Sequence, residues 1–169
     1  MTHPIPVLVA TDTPGIDIVV ESALWESLPT ARDIVRSAIA AAAEIESDPG
    51  DVVVLLCDDP TIRALNAQWR GLDKPTNVLS FPAAPSSGAT ADPHLGDIAI
   101  AYETIRREAE AEAKPVLHHL AHLAIHGYLH LLGFDHESEQ EAEEMEALEV
   151  RILNSLSIPN PYADRPFTD

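Results

Sequence analysis

The sequence predicts a single α/β domain, or an α+β variant of it, in which a four-stranded sheet is surrounded by about five helices. Two observations predict this fold class. Four short segments rich in Val, Ile and Leu alternate in part with five longer segments whose apolar residues recur at helical spacing. The chain also has 169 residues, 46 % of them hydrophobic, which is enough for one domain with a buried core.

Local signals predict two strands and two helices in the first part of the chain. Residues 16–20 predict a strand because Ile and Val dominate them, and the alanine-rich segment 30–45 predicts a helix. Residues 52–57 form a continuous apolar run, which is typical of a central strand buried on both faces. The next helix is predicted at residues 60–69, where a proline stands in the first turn and Gly71 follows the last.

The second part of the chain supplies the remaining elements. Residues 77–81 are predicted to be extended, and residues 96–101 predict the fourth strand. Helical patterns then cover residues 102–113, 115–132 and 138–155. Helices therefore dominate the C-terminal part of the predicted domain.

We predict that residues 1–158 form one domain, because no internal linker or repeat divides them. Residues 159–169 are predicted to be a flexible tail, since their prolines cannot continue a helix and they lack an apolar stripe. The Pro-, Ser- and Gly-rich segment 83–93 predicts a mobile loop. We find neither the basic segment of a signal peptide nor a run of about 18 apolar residues, and a single cysteine gives no internal disulfide. A cytoplasmic protein with no membrane contact is expected.

The net charge of the chain limits its partners. Ten Lys and Arg residues stand against 28 Asp and Glu residues, which gives a formal net charge of −18. Such a charge repels nucleic acid at long range, so nucleic-acid binding requires a local positive site, and DNA is not expected as a partner. The glutamates crowded in the C-terminal acidic segment are interpreted as a solvated helix face. They are Glu137, Glu139, Glu141, Glu143, Glu144, Glu146 and Glu149.

The histidines form the main functional signal. Six of the eight fall between residues 118 and 136. His126 and His130 share one helix face, and Gly133 is suited to end the helix, so that His136 can return to the same face. Three imidazoles with an open fourth position are the layout of a catalytic zinc site, and one cysteine is too few for a cysteine-rich structural site.

Gly127 and His122, which stand next to and one turn before His126, bear on the kind of enzyme that this motif predicts. The spacing of the three histidines is that of the metzincin proteases, whose motif is H-E-x-x-H-x-x-G-x-x-H. Gly127 stands where those proteases carry their general-base glutamate, so a zinc peptidase is a minor alternative. His122, one turn before His126, is expected to have a supporting role.

The segment 122–136 closely resembles the signature of the YbeY family, a bacterial group of zinc-dependent endoribonucleases and rRNA maturation factors. Three further blocks match the family in order, and the acidic segment 141–149 looks like its last helix. Those three blocks are residues 65–70, 74–82 and 95–98. The resemblance covers residues 16–155 and implies a four-stranded, mostly parallel sheet with the metal in a cleft at a helix C-terminus.

The resemblance also implies the function. It implies that His126, His130 and His136 hold one Zn²⁺ per chain and that Arg70 is essential. The implied task is single-strand-specific cleavage in 16S rRNA 3′ end maturation and in quality control of the small ribosomal subunit. The expected partners are rRNA and the small subunit with its proteins.

Physical chemistry agrees with these roles. The guanidinium of Arg70 can hold two phosphate oxygens at once, and Lys74 and Asn77 could extend the substrate site. Asp97 or Asp135 is expected to orient a ligand imidazole, which is the usual place for a carboxylate near a metal. The alternative from another class is a ribosome assembly factor with little cleavage of its own. The sequence leaves the cleavage site, the attacking group, the general base and the oligomeric state open.

Overall fold

A computed structural model of the chain describes residues 15–46, 50–83, 94–135 and 137–162. The strands are β1 (Ile16–Val20), β2 (Asp51–Cys57), β3 (Val78–Pro82) and β4 (His94–Ala101). The helices are α1 (Ala31–Glu46), α2 (Asp59–Arg70), α3 (Tyr102–Ala111), α4 (Val116–Leu131) and α5 (Glu139–Ser155). The predicted elements are confirmed, with ends that differ by no more than two residues. A short 3₁₀ helix at Ala23–Ser27 was not predicted.

The four strands form one mixed sheet in the order β1-β2-β4-β3. The strands β1, β2 and β4 are parallel, and β3 pairs with β4 in the antiparallel direction. β2 is buried from Val52 to Cys57, as its continuous apolar run predicts. The prediction of an α/β domain with a four-stranded, mostly parallel sheet and helices around it is therefore confirmed.

Helix α4 positions the candidate site. It packs against α1, α3 and α5 and against strands β3 and β4, so most of its residues are buried. Its less buried side carries four histidines spaced by four residues, which places them in one row along the helix. They are His118, His122, His126 and His130.

Gly127 lets α4 approach the sheet closely. A Cβ atom at this position would lie 3.0 Å from Ile98 Cγ2 and 3.1 Å from Ser80 Oγ. The Ser80 hydroxyl also donates a hydrogen bond of 2.9 Å to the carbonyl oxygen of Gly127. Strand β3 and helix α4 are therefore fixed to each other beside His126.

The end of α4 agrees with its sequence signal. Gly133 has a φ of 100°, a conformation that side chains with a Cβ rarely adopt, and it follows the last helical turn. Within the described part of the chain, no helix is long and apolar enough to cross a membrane.

Candidate active site

The imidazoles of His126 and His130 face each other across one turn of α4. Their Nε2 atoms are 3.0 Å apart. His130 Nδ1 donates to the carbonyl oxygen of Phe134 at 2.9 Å, and His126 Nδ1 donates to Glu149 Oε2 at 2.5 Å. Both acceptors fix the proton of the neutral ring on Nδ1, which leaves a lone pair on each Nε2 atom.

Two facing lone pairs at this distance match a shared cation. Nitrogen atoms at about 2.0–2.1 Å from one tetrahedral zinc ion lie about 3.3 Å apart. Imidazole nitrogen is a ligand type that zinc prefers, so His126 and His130 fit the predicted ion. Within the described ranges no cluster of three His, Cys, Asp or Glu side chains has the arrangement of a metal site. The predicted third ligand, His136, lies outside these ranges, so the complete ligand set stays a prediction.

Glu149 is a carboxylate that contacts one member of the ligand pair, His126. It is fully buried, and it accepts hydrogen bonds from His126, from His122 Nε2 at 2.8 Å and from the hydroxyl of Tyr162. Burial alone would raise its pKa, but the hydrogen bonds from His122 and His126 outweigh burial and lower the pKa to about 2. An ionised carboxylate therefore fixes the tautomer of His126.

The interpretation of the last helix as a solvated face is wrong for Glu149. Its side chain lies among the buried residues of α5, which are Met145, Ile152 and Leu153. These residues stand four positions before Glu149 and three and four positions after it, so they share its face of the helix. A charged residue in the apolar stripe of a helix was the sequence signal that could have found it.

The other predicted neighbours are placed differently. Asp97 is buried on β4, and its Oδ1 lies 2.9 Å from His94 Nε2. Asp135 lies half-buried in the segment after α4. The Glu149 carboxylate accepts from His126 Nδ1, and the Phe134 backbone carbonyl accepts from His130 Nδ1. These two groups orient the two imidazoles.

Arg70 lines the same cleft as the two histidines. This cleft has a volume of about 320 Å³. Its lining consists of Arg70, Asn77, Val78, Leu79, Ser80, His126 and His130. The Arg70 guanidinium donates to the carbonyl oxygen of Ser80 and lies 5.4 Å from the centre of the Phe81 ring. A positive charge is thereby held beside the imidazole pair.

Asn77 and Lys74 occupy different positions. Asn77 lines the cleft, but its amide nitrogen lies 3.0 Å from Glu108 Oε1, and its amide oxygen accepts from the Val78 N–H at 2.6 Å. These contacts hold the segment that leads into β3. Lys74 is exposed in the loop after α2 and does not line this cleft.

The segment after α5 differs from its prediction. Residues 159–169 were expected to form an unpacked tail, and this is wrong for Tyr162. Its hydroxyl bonds Glu149, and its ring centre is 5.4 Å from that of His122. The polar contact is long-range and is made by a single aromatic side chain, so no periodic pattern signals it. Residues 163–169 lie outside the described residues.

Comparisons with known proteins identify the family of the chain. The family described as Endoribonuclease YbeY matches residues 21–157. The chain is 54 % identical over 163 residues to "Endoribonuclease YbeY" of Bradyrhizobium sp. strain BTAi1, covering 92 % of this chain and 96 % of that protein. It is 53 % identical to the protein of the same name from Nitrobacter winogradskyi, covering 93 % and 86 %.

A solved structure supports the fold independently. The solution structure of TM1509 from Thermotoga maritima matches with a TM-score of 0.53 at 23 % identity, covering 91 % of this chain and 99 % of that one. This likeness concerns the fold alone. Family match and close relatives together confirm the resemblance found in the sequence and, at the level of the family, the prediction of an enzyme that cleaves RNA: the chain belongs to the endoribonuclease YbeY family.

Proposed function

We propose that this chain is a zinc-dependent endoribonuclease that cuts single-stranded RNA in 16S rRNA 3′ end maturation and in quality control of the small ribosomal subunit. The observation that carries the proposal is the facing pair of Nε2 atoms, 3.0 Å apart, in a cleft that Arg70 also lines. Membership of an endoribonuclease family supports RNA as the substrate.

In this proposal different residues bind the metal and orient its ligands. His126, His130 and His136 would hold the ion, with Glu149 and the Phe134 carbonyl keeping two of the rings in the tautomer that binds metal. When bound, zinc supplies Lewis acidity, which activates water near neutral pH and polarises a phosphate oxygen.

Arg70 supplies the positive charge. A guanidinium has five N–H donors in a rigid fork, so the contact with the Ser80 carbonyl is compatible with binding two phosphate oxygens as well. Negative charge grows on these oxygens in the transition state, and a positioned cation stabilises that state more than the ground state.

The peptidase alternative loses support at Gly127. The glutamate of a zinc protease must reach a water beside the metal. At residue 127 an added Cβ would meet Ile98 and Ser80 of the sheet, on the side of α4 that is packed. Glycine carries no carboxylate, and a side chain at this position would point toward the sheet, so residue 127 provides no general base.

A second candidate function comes from the charge. A net charge of −18 suits basic ribosomal proteins better than bare RNA, which favours an assembly factor that binds the small subunit. Both functions are compatible in one protein. If Arg70→Ala protein still co-sediments with small subunits but no longer matures rRNA, Arg70 serves catalysis and another surface serves binding.

Metal analysis combined with RNA cleavage tests the main proposal. We expect about one zinc per wild-type chain, cleavage of single-stranded RNA that a chelator stops, and loss of both in His130→Ala. His118→Ala is the matched control, because His118 lies in the same row of α4 but not in the Arg70 cleft, and it should keep its zinc. A zinc-loaded wild-type protein that never cuts RNA, alone or on ribosomal particles, would refute the proposal.

A further inference from the structure

A second, larger cavity adjoins the Arg70 cleft. Its volume is about 720 Å³, within the range of about 300–1,000 Å³ that is usual for sites of small organic ligands. It lies between the α3–α4 connection, α4, the end of α5 and the segment after α5. Asn77, Val78 and His126 line both spaces, so the larger cavity begins where the cleft ends.

The charges in this cavity are paired within its own lining. Lys114 Nζ lies 2.8 Å from Glu112 Oε1. Glu108 accepts from His119 Nε2 at 2.8 Å and from the Asn77 amide at 3.0 Å. Among the described residues that line this cavity, a phosphate therefore meets no cation comparable to Arg70 of the neighbouring cleft, and an uncharged group is favoured.

The rest of the lining combines apolar surface with rings. Much of the apolar part comes from α4, from α5 and from the segment after α5. It includes Leu123, Leu153, Ile158, Pro159 and Pro161. The rings of His118, His122 and Tyr162 stand beside it. Aromatic and histidine rings stack on unpaired bases, and amide and carboxylate groups bond to base edges.

We propose that this cavity binds the base of a nucleotide next to the scissile phosphate, while the phosphate itself lies in the Arg70 cleft. The inference rests on the proposed function and names a subsite of it. An endonuclease substrate continues on both sides of the bond that is cut, so flanking nucleotides extend beyond the Arg70 cleft, and the larger cavity adjoins that cleft at His126. A base enters such a cavity only when it is unstacked and unpaired, which gives a physical reason for single-strand specificity.

An abasic scan of the substrate tests the subsite. A short single-stranded RNA that the wild-type protein cuts at one bond is prepared with an abasic ribose at each position near that bond in turn. We expect kcat/KM to fall about tenfold when the abasic residue occupies one flanking position, and to change little at more distant positions. Equal cleavage of all these RNAs would overturn the proposal.

Variants that fill the cavity show whether the loss of kcat/KM on abasic RNA arises in this cavity. In His118→Trp the larger ring would occupy part of the space, and we expect the ratio of kcat/KM between intact and abasic RNA to fall from about ten to about one. Glu143→Trp places the same side chain on the exposed face of α5 outside both linings and should keep the ratio. Pro159→Trp fills the cavity from its other side if His118→Trp does not fold.

The outcomes separate this proposal from the one it rests on. If the zinc-loaded wild-type protein cuts no RNA, the proposed function fails and the subsite fails with it. If the wild-type protein cuts RNA but both filled variants keep the tenfold ratio, the subsite alone is refuted. An effect of the abasic residue that both filled variants abolish supports it.

Discussion

His126 and Glu149 are 23 residues apart in the sequence, and the Nδ1 atom of one lies 2.5 Å from the Oε2 atom of the other. This contact joins α4 to α5 at the point where the candidate metal ligands stand. A carboxylate that accepts from Nδ1 fixes the ring orientation and raises the basicity of Nε2. The contact is therefore expected to affect metal binding more than it affects the stability of the helix pair.

Replacing this carboxylate tests its role. Glu149→Gln keeps the shape but removes the charge, and we expect zinc affinity to fall by about 10–100-fold. Competition with a chromogenic chelator measures the affinity, and circular dichroism checks the fold. Glu143→Gln on the exposed face of α5 is the control. Unchanged zinc affinity in a folded Glu149→Gln protein would contradict the orienting role.

The hydroxyl of Tyr162 should have a smaller effect of the same kind. Tyr162→Phe removes one hydrogen bond from Glu149 and keeps the ring beside His122. We expect zinc affinity to fall about threefold, less than in Glu149→Gln, because the hydroxyl acts on the ligand only through the carboxylate. The absorption spectrum of the Co²⁺-substituted protein should shift as well, and an identical spectrum and affinity would count against the role.

Arg70 should affect the rate and not the metal content. We expect Arg70→Ala to lower kcat/KM for RNA by about 10²–10³-fold while zinc content stays at the wild-type value. Arg70→Lys should recover little, because an ammonium lacks the planar fork that binds two phosphate oxygens and stacks near Phe81. If lysine restored the full rate, the bidentate contact would be refuted.

His119 should make the stability depend on pH. Burial lowers the pKa of this imidazole below its ordinary value of 6.5, and the hydrogen bond to Glu108 opposes burial only in part. Lys114 also lowers this pKa, whereas Glu112 raises it. The Nδ1 atom of His119 is buried without a hydrogen-bond partner, so a second proton on the ring would have no acceptor.

The direction in which stability changes with pH follows from proton binding to His119. Below the ordinary pKa the unfolded chain takes up the proton more readily than the folded one, so this stability is present above 6.5 and is lost as pH falls toward the folded pKa. Urea unfolding at about pH 7.5 and about pH 5.5 should show a smaller loss of stability in His119→Gln than in the wild-type protein. An equal loss in both proteins would contradict the prediction.

Local patterns were sufficient to predict most of the fold. The apolar run of β2 and the histidine row of α4 are local in the sequence, so the spacing of residue types predicts them directly. The 3₁₀ helix at Ala23–Ser27 was missed because a single turn has no period to detect. Its Trp25 is held by a hydrogen bond to the Cys57 carbonyl, 32 residues away.

The partners of the histidines could not be predicted in the same way. The spacing of His126 and His130 places them on one face, but the choice among several acidic residues depends on how α5 packs on α4. Asp97 or Asp135 was expected because a carboxylate near a metal usually orients a ligand imidazole. For His126 the structure brings in Glu149 from the next helix instead. Position on the buried face, rather than distance along the chain, decides which carboxylate reaches the ring.

The contact between Tyr162 and Glu149 has a practical consequence for handling the protein. A truncation placed directly after α5, which secondary structure alone would recommend, removes a group that touches the carboxylate behind His126. An affinity tag fused at that point replaces it with unrelated residues. Shortened or tagged preparations that lose this contact are then expected to bind zinc more weakly than the full chain, by the same modest factor as Tyr162→Phe, and their activity would understate that of the full chain.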